Sequence, residues 1–152
     1  MNGVELTTMC ALIQNNMVLM INRKKNWKGW SFPGGHLEKD ESIHDCISRE
    51  IFEETGLSCR NLKYKGFTHF YNTETEERHI ISNYICTDFS GDLISNCDEG
   101  NLQWIDIDTI TDYPLAEGME YRLPLFFNNG IKELYVEWNK KNGYTKVMYI
   151  DM

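Results

Sequence analysis

The chain opens with two apolar runs of strand length. Residues 6–13 and 17–21 are mostly apolar, and the polar pair Asn15-Asn16 lies between them. Asn-rich pairs between apolar runs favour tight turns. We therefore predict an antiparallel hairpin at the start of the chain.

Strand-like and helix-like segments follow one another through the rest of the sequence. Residues 42–55 and 118–128 have helical patterning, although Pro124 removes a backbone donor from the second segment. We predict strands at residues 57–71, 78–89 and 102–105, and a final hairpin of residues 134–138 and 146–150 around Asn142-Gly143. This order predicts an α+β fold with a mixed β-sheet between helices.

The first predicted helix carries acidic residues where a core face is expected. Ser42 can cap its beginning and Gly56 its end. At about 100° per residue, an apolar stripe is formed by Ile43, Cys46 and Ile47. Glu50 and Glu54 fall on that stripe, and Glu53 lies at its edge.

Carboxylates at these spacings repel one another, and burial adds the free-energy cost of removing their charge from water. They also lie near the helix C-terminus, where the helix dipole disfavours negative charge. A bound Mg²⁺ or Mn²⁺ would offset these penalties, because hard cations favour oxygen ligands. The alternative is a solvated acidic helix face.

Length, hydrophobic content and net charge limit the number of domains and the kinds of molecule that the protein is expected to bind. With 152 residues, 41% of them hydrophobic, we expect one domain spanning residues 1–152. The net charge of −8 argues against a nucleic-acid polymer as the main partner. A small phosphorylated substrate remains compatible, since a metal ion can supply positive charge locally.

The cysteines and the hydropathy of the chain indicate where in the cell the protein is expected. The five cysteines include no CxxC pair, so we expect neither a disulfide framework nor a structural zinc site. The first residues do not resemble a signal peptide, and no apolar run reaches the ~18 residues of a membrane span. The expectation is a cytoplasmic protein that does not engage a membrane, as a monomer or a homodimer.

A 23-residue segment resembles the Nudix box. It matches nine specified positions: Gly35, Glu41, Arg49, Glu50, Ile51, Glu53, Glu54, Gly56 and Leu57. The preceding residues 30–35, Trp-Ser-Phe-Pro-Gly-Gly, are similar to the usual sequence before the box. The resemblance implies a Nudix α/β/α sandwich that hydrolyses a nucleoside diphosphate linked to another group.

The resemblance also implies metal ligands. Glu50, Glu53 and Glu54 match the metal-binding carboxylates of the family, with Mg²⁺ as the expected ion and Mn²⁺ as a possible one. Gly34 matches a glycine whose backbone carbonyl often completes the metal site. Glu41 matches a structural position or one behind the direct ligands.

Further catalytic roles follow from the same resemblance. Arg49 matches the arginine that orients a box glutamate; the alternative is a surface salt bridge. The family often recruits a later acid as a ligand or base, for which we choose Glu99, with Asp98 as competitor and a solvated turn as the alternative. For the general base, Glu53 is the first choice and Glu99 the second.

Most of the chain is similar to the MutT-type branch, the oxidised purine nucleoside triphosphate pyrophosphatases. The similar segments are residues 89–93, 98–104, 117–118 and 134–138. This similarity implies hydrolysis of a damaged dGTP, such as 8-oxo-dGTP, to the monophosphate and pyrophosphate. Some members have a tryptophan where this chain has Ala116, which leaves the stacking of the base open.

Candidate substrate contacts lie outside the box. The base could contact aromatic residues or an acid, and the phosphates could contact a basic loop: Trp27, Trp30, Phe32 and Glu117 for the base, Lys24 and Lys25 for the phosphates. Packing of the aromatic residues and solvation of the basic loop are the alternatives. Two other functions remain open: a broader hydrolase of nucleotide sugars or dinucleoside polyphosphates, and a catalytically silent nucleotide-binding module.

Overall fold

A computed structural model describes residues 3–151 of the chain. The two α-helices are α1 (Ile43–Thr55) and α2 (Met119–Phe127), and a 3₁₀ helix spans Ile107–Asp112. The strands are β1 (Val4–Gln14), β2 (Met17–Arg23), β3 (Gly29–Ser31), β4 (Gly34–His36), β5 (Leu57–Arg60), β6 (Lys63–Asn72), β7 (Arg78–Cys86), β8 (Asp88–Gly91), β9 (Asn96–Cys97), β10 (Gly100–Asp106), β11 (Ile131–Asn139) and β12 (Gly143–Asp151).

The main sheet is mixed. Its order is β12-β11-β6-β7-β1-β2-β10-β9, with β3 added to β2 and β4 added to β1. The pairs β1–β7 and β6–β11 are parallel, and the other strand pairs are antiparallel. Strands β5 and β8 form a separate two-stranded sheet.

The central strand β1 is buried on both faces. Cys10 and Leu12 pack with Ile47 and Ile51 of α1, whereas the alternate positions Met9 and Ala11 belong to the core that contains α2. Side chains alternate between the faces of a strand, so the two helices cover opposite sides of the sheet. This gives the predicted layers of helix, sheet and helix, and it explains the long apolar run in β1.

Both predicted hairpins are confirmed, as are the predicted helices. The two long strands predicted at residues 57–71 and 78–89 are each divided instead. Asn61, in the left-handed conformation with a φ of 55°, lies in the break between β5 and β6. Thr87 separates β7, which ends at Cys86, from β8, which begins at Asp88.

Helix α1 begins and ends as predicted. The Ser42 hydroxyl accepts a hydrogen bond from the Asp45 N–H at 3.0 Å, and Gly56 ends the helix in the left-handed conformation, with a φ of 81°. The apolar stripe differs in one position, because Ile43 is 39% exposed in the first turn and Ile51 is fully buried.

Helix α2 buries two of the three residues predicted for its buried side, and Arg122 in addition. Leu125 and Phe126 are buried as expected, but Tyr121 is only half-buried and Arg122 lies in the interior. Within residues 3–151, no helix is long and apolar enough to cross a membrane.

Candidate metal centre and the adjoining cavity

The three glutamates of α1 differ in burial, and Glu53, which lies at the edge of the predicted stripe, is the most exposed of them. Glu54 faces the core and is 5% exposed, whereas the side chains of Glu50 and Glu53 are 17% and 56% exposed. The helix therefore presents a row of carboxylates that runs from the protein interior to solvent.

Arg49 is the cation at the centre of this row. Its Nε and Nη2 donate to the two carboxylate oxygens of Glu41 at 2.6 and 3.0 Å. Its Nη1 donates to Glu50 at 3.0 Å and to Glu53 at 3.1 Å. One guanidinium thus holds three carboxylates of the segment in fixed positions.

The pKa values reflect how this one cation is shared. Hydrogen bonds from Arg49 and from the Glu38 N–H lower the pKa of Glu41 to about 2. Burial raises the pKa of Glu50 above its ordinary value, and the contact with Arg49 offsets only part of that shift. Glu41 is the carboxylate that Arg49 satisfies most completely.

Glu54 receives no hydrogen bond from Arg49. Its Oε1 accepts from the Gly34 N–H at 2.9 Å, while its Oε2 is buried and has no hydrogen-bond partner among residues 3–151. Burial is the main cause that raises the pKa of Glu54 to about 8. A cation next to Oε2 would remove this penalty.

Gly35 allows β4 to approach α1 closely. A Cβ atom at Gly35 would lie 2.5 Å from the Cδ of Glu50, closer than real side chains approach. Any larger residue here would displace the Glu50 carboxylate, so this glycine sets the position of an acid.

A loop acid approaches the same cluster. Glu99, between β9 and β10, forms an ion pair with Arg23 at 3.3 Å. Its charge contributes to raising the pKa values of Glu50 and Glu54, so it lies within electrostatic reach of both. Its neighbour Asp98 is exposed.

These acids do not surround one point. Across residues 3–151, no group of three or more acidic, histidine or cysteine side chains is arranged to hold a metal ion. The oxygen donors and the unpartnered Oε2 of Glu54 nevertheless fit a hard divalent cation.

A cavity of about 110 Å³ adjoins the acidic cluster on the side of α2. Gly34 and Gly35 line it, and the same two residues contact Glu54 and Glu50. The remaining wall is mainly apolar and includes Met9, Phe32, Phe70, Ile81 and Met119.

Comparison with known proteins identifies the family. The family model of the NUDIX domain matches residues 5–126. The chain belongs to the Nudix family. The match covers the box, nearly all of strands β1 to β10, and most of α2, so the fold is the Nudix α/β/α sandwich.

Two relatives illustrate what the chain is similar to. An uncharacterized Nudix hydrolase of Bacillus subtilis, YvcI, is 32% identical over 78% of this chain and 76% of its own length. An ADP-ribose pyrophosphatase of Methanocaldococcus jannaschii is 31% identical over 64% of this chain and 59% of its own length. The chain is therefore a Nudix hydrolase acting on nucleoside diphosphate derivatives.

The fold also matches a solved structure. The structure of a MutT protein from Bacillus halodurans superimposes with a TM-score of 0.81 and covers 95% of this chain and 97% of its own. The two sequences are 23% identical, so this likeness shows the shared fold alone.

Of the residues expected to contact the base, three line the cavity and one packs in the core instead. Phe32 and Glu117 line the cavity next to the Nudix box, Phe32 as a buried residue and Glu117 as an exposed one. Trp27 also lines the cavity and is 49% exposed. Trp30 packs in the core against Tyr113 and is not among the lining residues.

The basic loop expected at the phosphates lies at the surface. Lys24 and Lys25 are both exposed. The backbone N–H of Lys24 donates to the Glu99 carbonyl at 3.1 Å, which ties this loop to the loop acid.

The cavity wall includes polar residues that were not among the sequence candidates, and three of them are Arg23, His79 and Arg122. Arg122 could have been found, because its spacing from Met119 and Leu125 places it on the buried face of α2. Arg23 and His79 depend on strand pairings that no local pattern reveals.

Proposed function

We propose that this Nudix hydrolase converts oxidised purine nucleoside triphosphates, such as 8-oxo-dGTP, to the monophosphate and pyrophosphate with Mg²⁺. The observation that carries the proposal is the shared wall at Gly34 and Gly35, which joins the acidic cluster to the cavity. A nucleotide spanning this wall would place phosphates at the acids and its base in the cavity.

The proposed metal ligands are the carboxylates of Glu50, Glu53, Glu54 and Glu99 and the carbonyl of Gly34. Mn²⁺ has the same preference for oxygen ligands and could replace Mg²⁺. When bound, a divalent ion neutralises phosphate charge and lowers the pKa of a coordinated water. The unpartnered Oε2 of Glu54 supports this assignment.

The protein residues then have separate tasks. Arg49 orients Glu50 and Glu53 through its hydrogen bonds at 3.0 and 3.1 Å. Glu53, the most exposed of the three helix acids, is the first choice to accept the proton of the attacking water, and Glu99 is the second.

Substrate contacts are proposed on both sides of the wall. Phe32 and Glu117 would contact the base from the cavity, and Lys24 would contact the phosphates from its exposed loop. Burial of Trp30 in the core supports a packing role for that residue instead.

A substrate panel tests the proposal. Release of pyrophosphate and phosphate is measured with and without Mg²⁺ for 8-oxo-dGTP, dGTP, ADP-ribose, a nucleotide sugar and a dinucleoside polyphosphate. We expect the highest kcat/KM, dependent on Mg²⁺, for 8-oxo-dGTP.

Other outcomes reject the proposal in distinct ways. A preference for ADP-ribose or a dinucleotide would favour the broader diphosphate hydrolase. Binding of nucleotides without metal-dependent release from any of them would favour the silent binding module.

A further inference from the structure

Arg122 is a buried cation on the cavity side of α2. Its side chain lines the cavity and the residue is 7% exposed. Its Nη2 donates to the Met9 thioether at 3.0 Å, and its Nε has no hydrogen-bond partner among residues 3–151. A thioether is a weak acceptor, so the guanidinium is poorly satisfied.

No carboxylate compensates this charge within the described residues. The arginines that form ion pairs there are Arg23, Arg49 and Arg60. Burial lowers the pKa of Arg122 to about 10, and Tyr144 offsets this shift only in part. A buried cation without an anionic partner is costly, which ordinary stability does not favour.

The surroundings restrict what could complete the site. Met9, Phe70 and Met119 form apolar walls suited to a flat ring. Burial lowers the pKa of His79 to about 4, so this neighbour is neutral near pH 7. Glu117, exposed on the same cavity, disfavours an anion and can accept hydrogen bonds from ring N–H groups.

We propose that Arg122 is a specificity-determining residue that donates to a carbonyl oxygen of a purine base bound in the cavity. The inference rests on the proposed function in requiring a nucleotide ligand. A guanine-type base offers acceptors to an arginine, whereas adenine has an amino donor at the corresponding position. A phosphate fits less well, since Glu117 would repel it.

Binding measurements test this role without requiring turnover. Titration calorimetry with dGMP, 8-oxo-dGMP and dAMP compares the wild type with Arg122→Met, Arg122→Lys and the surface control Arg60→Met. We expect Arg122→Met to lose about 10- to 100-fold in affinity for the two guanine-type ligands and little for dAMP. Arg122→Lys should lose less, and Arg60→Met should bind as the wild type does.

Thermal unfolding without nucleotide provides the second readout. Removing an uncompensated buried charge should leave the midpoint of Arg122→Met unchanged or raised. A lowered midpoint with equal loss for all three ligands would show a structural role and overturn the inference. So would wild-type binding that does not distinguish dGMP from dAMP, or a preference that Arg122→Met leaves intact.

Hydrolysis separates this inference from the proposed function. If no triphosphate is cleaved but guanine preference depends on Arg122, the inference stands and the proposed function fails. If 8-oxo-dGTP is cleaved with a base preference that is independent of Arg122, the reverse holds.

Discussion

The acidic cluster and the cavity wall both contain buried charge without a full set of partners, but the sign of that charge differs. In the cluster, Arg49 donates to Glu41, Glu50 and Glu53, whereas Glu54 accepts no hydrogen bond from it. Glu99 pairs with Arg23 instead. On the cavity wall, Arg122 has no carboxylate partner within residues 3–151. One region has surplus negative charge and the other has surplus positive charge.

The difference indicates what each region would bind. Buried charges are normally paired within the protein, and departures from this rule concentrate at functional sites. The acids favour a cation, and Arg122 favours a hydrogen-bond acceptor. Because Gly34 and Gly35 line both regions, one ligand carrying a metal ion could satisfy both.

Removing the surplus acids should produce the largest effect. We expect Glu53→Gln and Glu54→Gln each to lower metal-dependent turnover by about 100-fold or more, because each removes a proposed ligand or base. Steady-state kinetics at saturating Mg²⁺ measures this. Thermal unfolding should show that both variants fold, since Glu54→Gln removes a buried ionisable group and Glu53 is half-exposed.

The matched control is Glu74→Gln, a change at an exposed turn that should leave turnover near the wild-type value. Near-normal activity in both Glu53→Gln and Glu54→Gln would contradict the metal-centre proposal. The acidic cluster would then be a structural network around Arg49.

A smaller effect is expected at the loop acid. Glu99→Gln should lower turnover by roughly 10-fold or more, because Glu99 lies within electrostatic reach of Glu50 and Glu54. The adjacent Asp98→Asn should change turnover by less than about twofold. Equal effects of the two substitutions would remove Glu99 from the proposed centre.

Local sequence predicts the acidic region better than the cavity. Helix α1 and the greater exposure of Glu53 than of Glu50 and Glu54 follow from spacing alone, since positions i and i+4 share a face. Ile43 departs from the pattern because it lies in the first turn, where it is 39% exposed.

The cavity depends on contacts distant in sequence. Met9, His79 and Arg122 come from β1, β7 and α2, and the parallel pairing of β1 with β7 places the first two on neighbouring strands that line the cavity. Hydropathy also does not predict the break between β5 and β6, because it does not report the left-handed conformation of Asn61. Arg122 itself was detectable from its helical spacing.

The smallest predicted effect is the contribution of His79 to the pH dependence of stability. His79 has a pKa of about 4 rather than 6.5, chiefly because of burial. The charged groups facing it are Glu5, which favours protonation, and His36 and Arg122, which oppose it. Its contribution to stability is therefore present above pH 6.5 and is lost as the pH falls toward 4.

Chemical denaturation at about pH 7.5, 6.5 and 5 measures this dependence. Between pH 6.5 and 5, we expect His79→Gln to lose about 1 to 2 kcal/mol less stability than the wild type. His44→Gln, at a side chain that is 63% exposed, should retain the wild-type dependence. Identical pH profiles for all three proteins would mean that His79 accepts a proton without cost, and that the cavity tolerates a second cation beside Arg122.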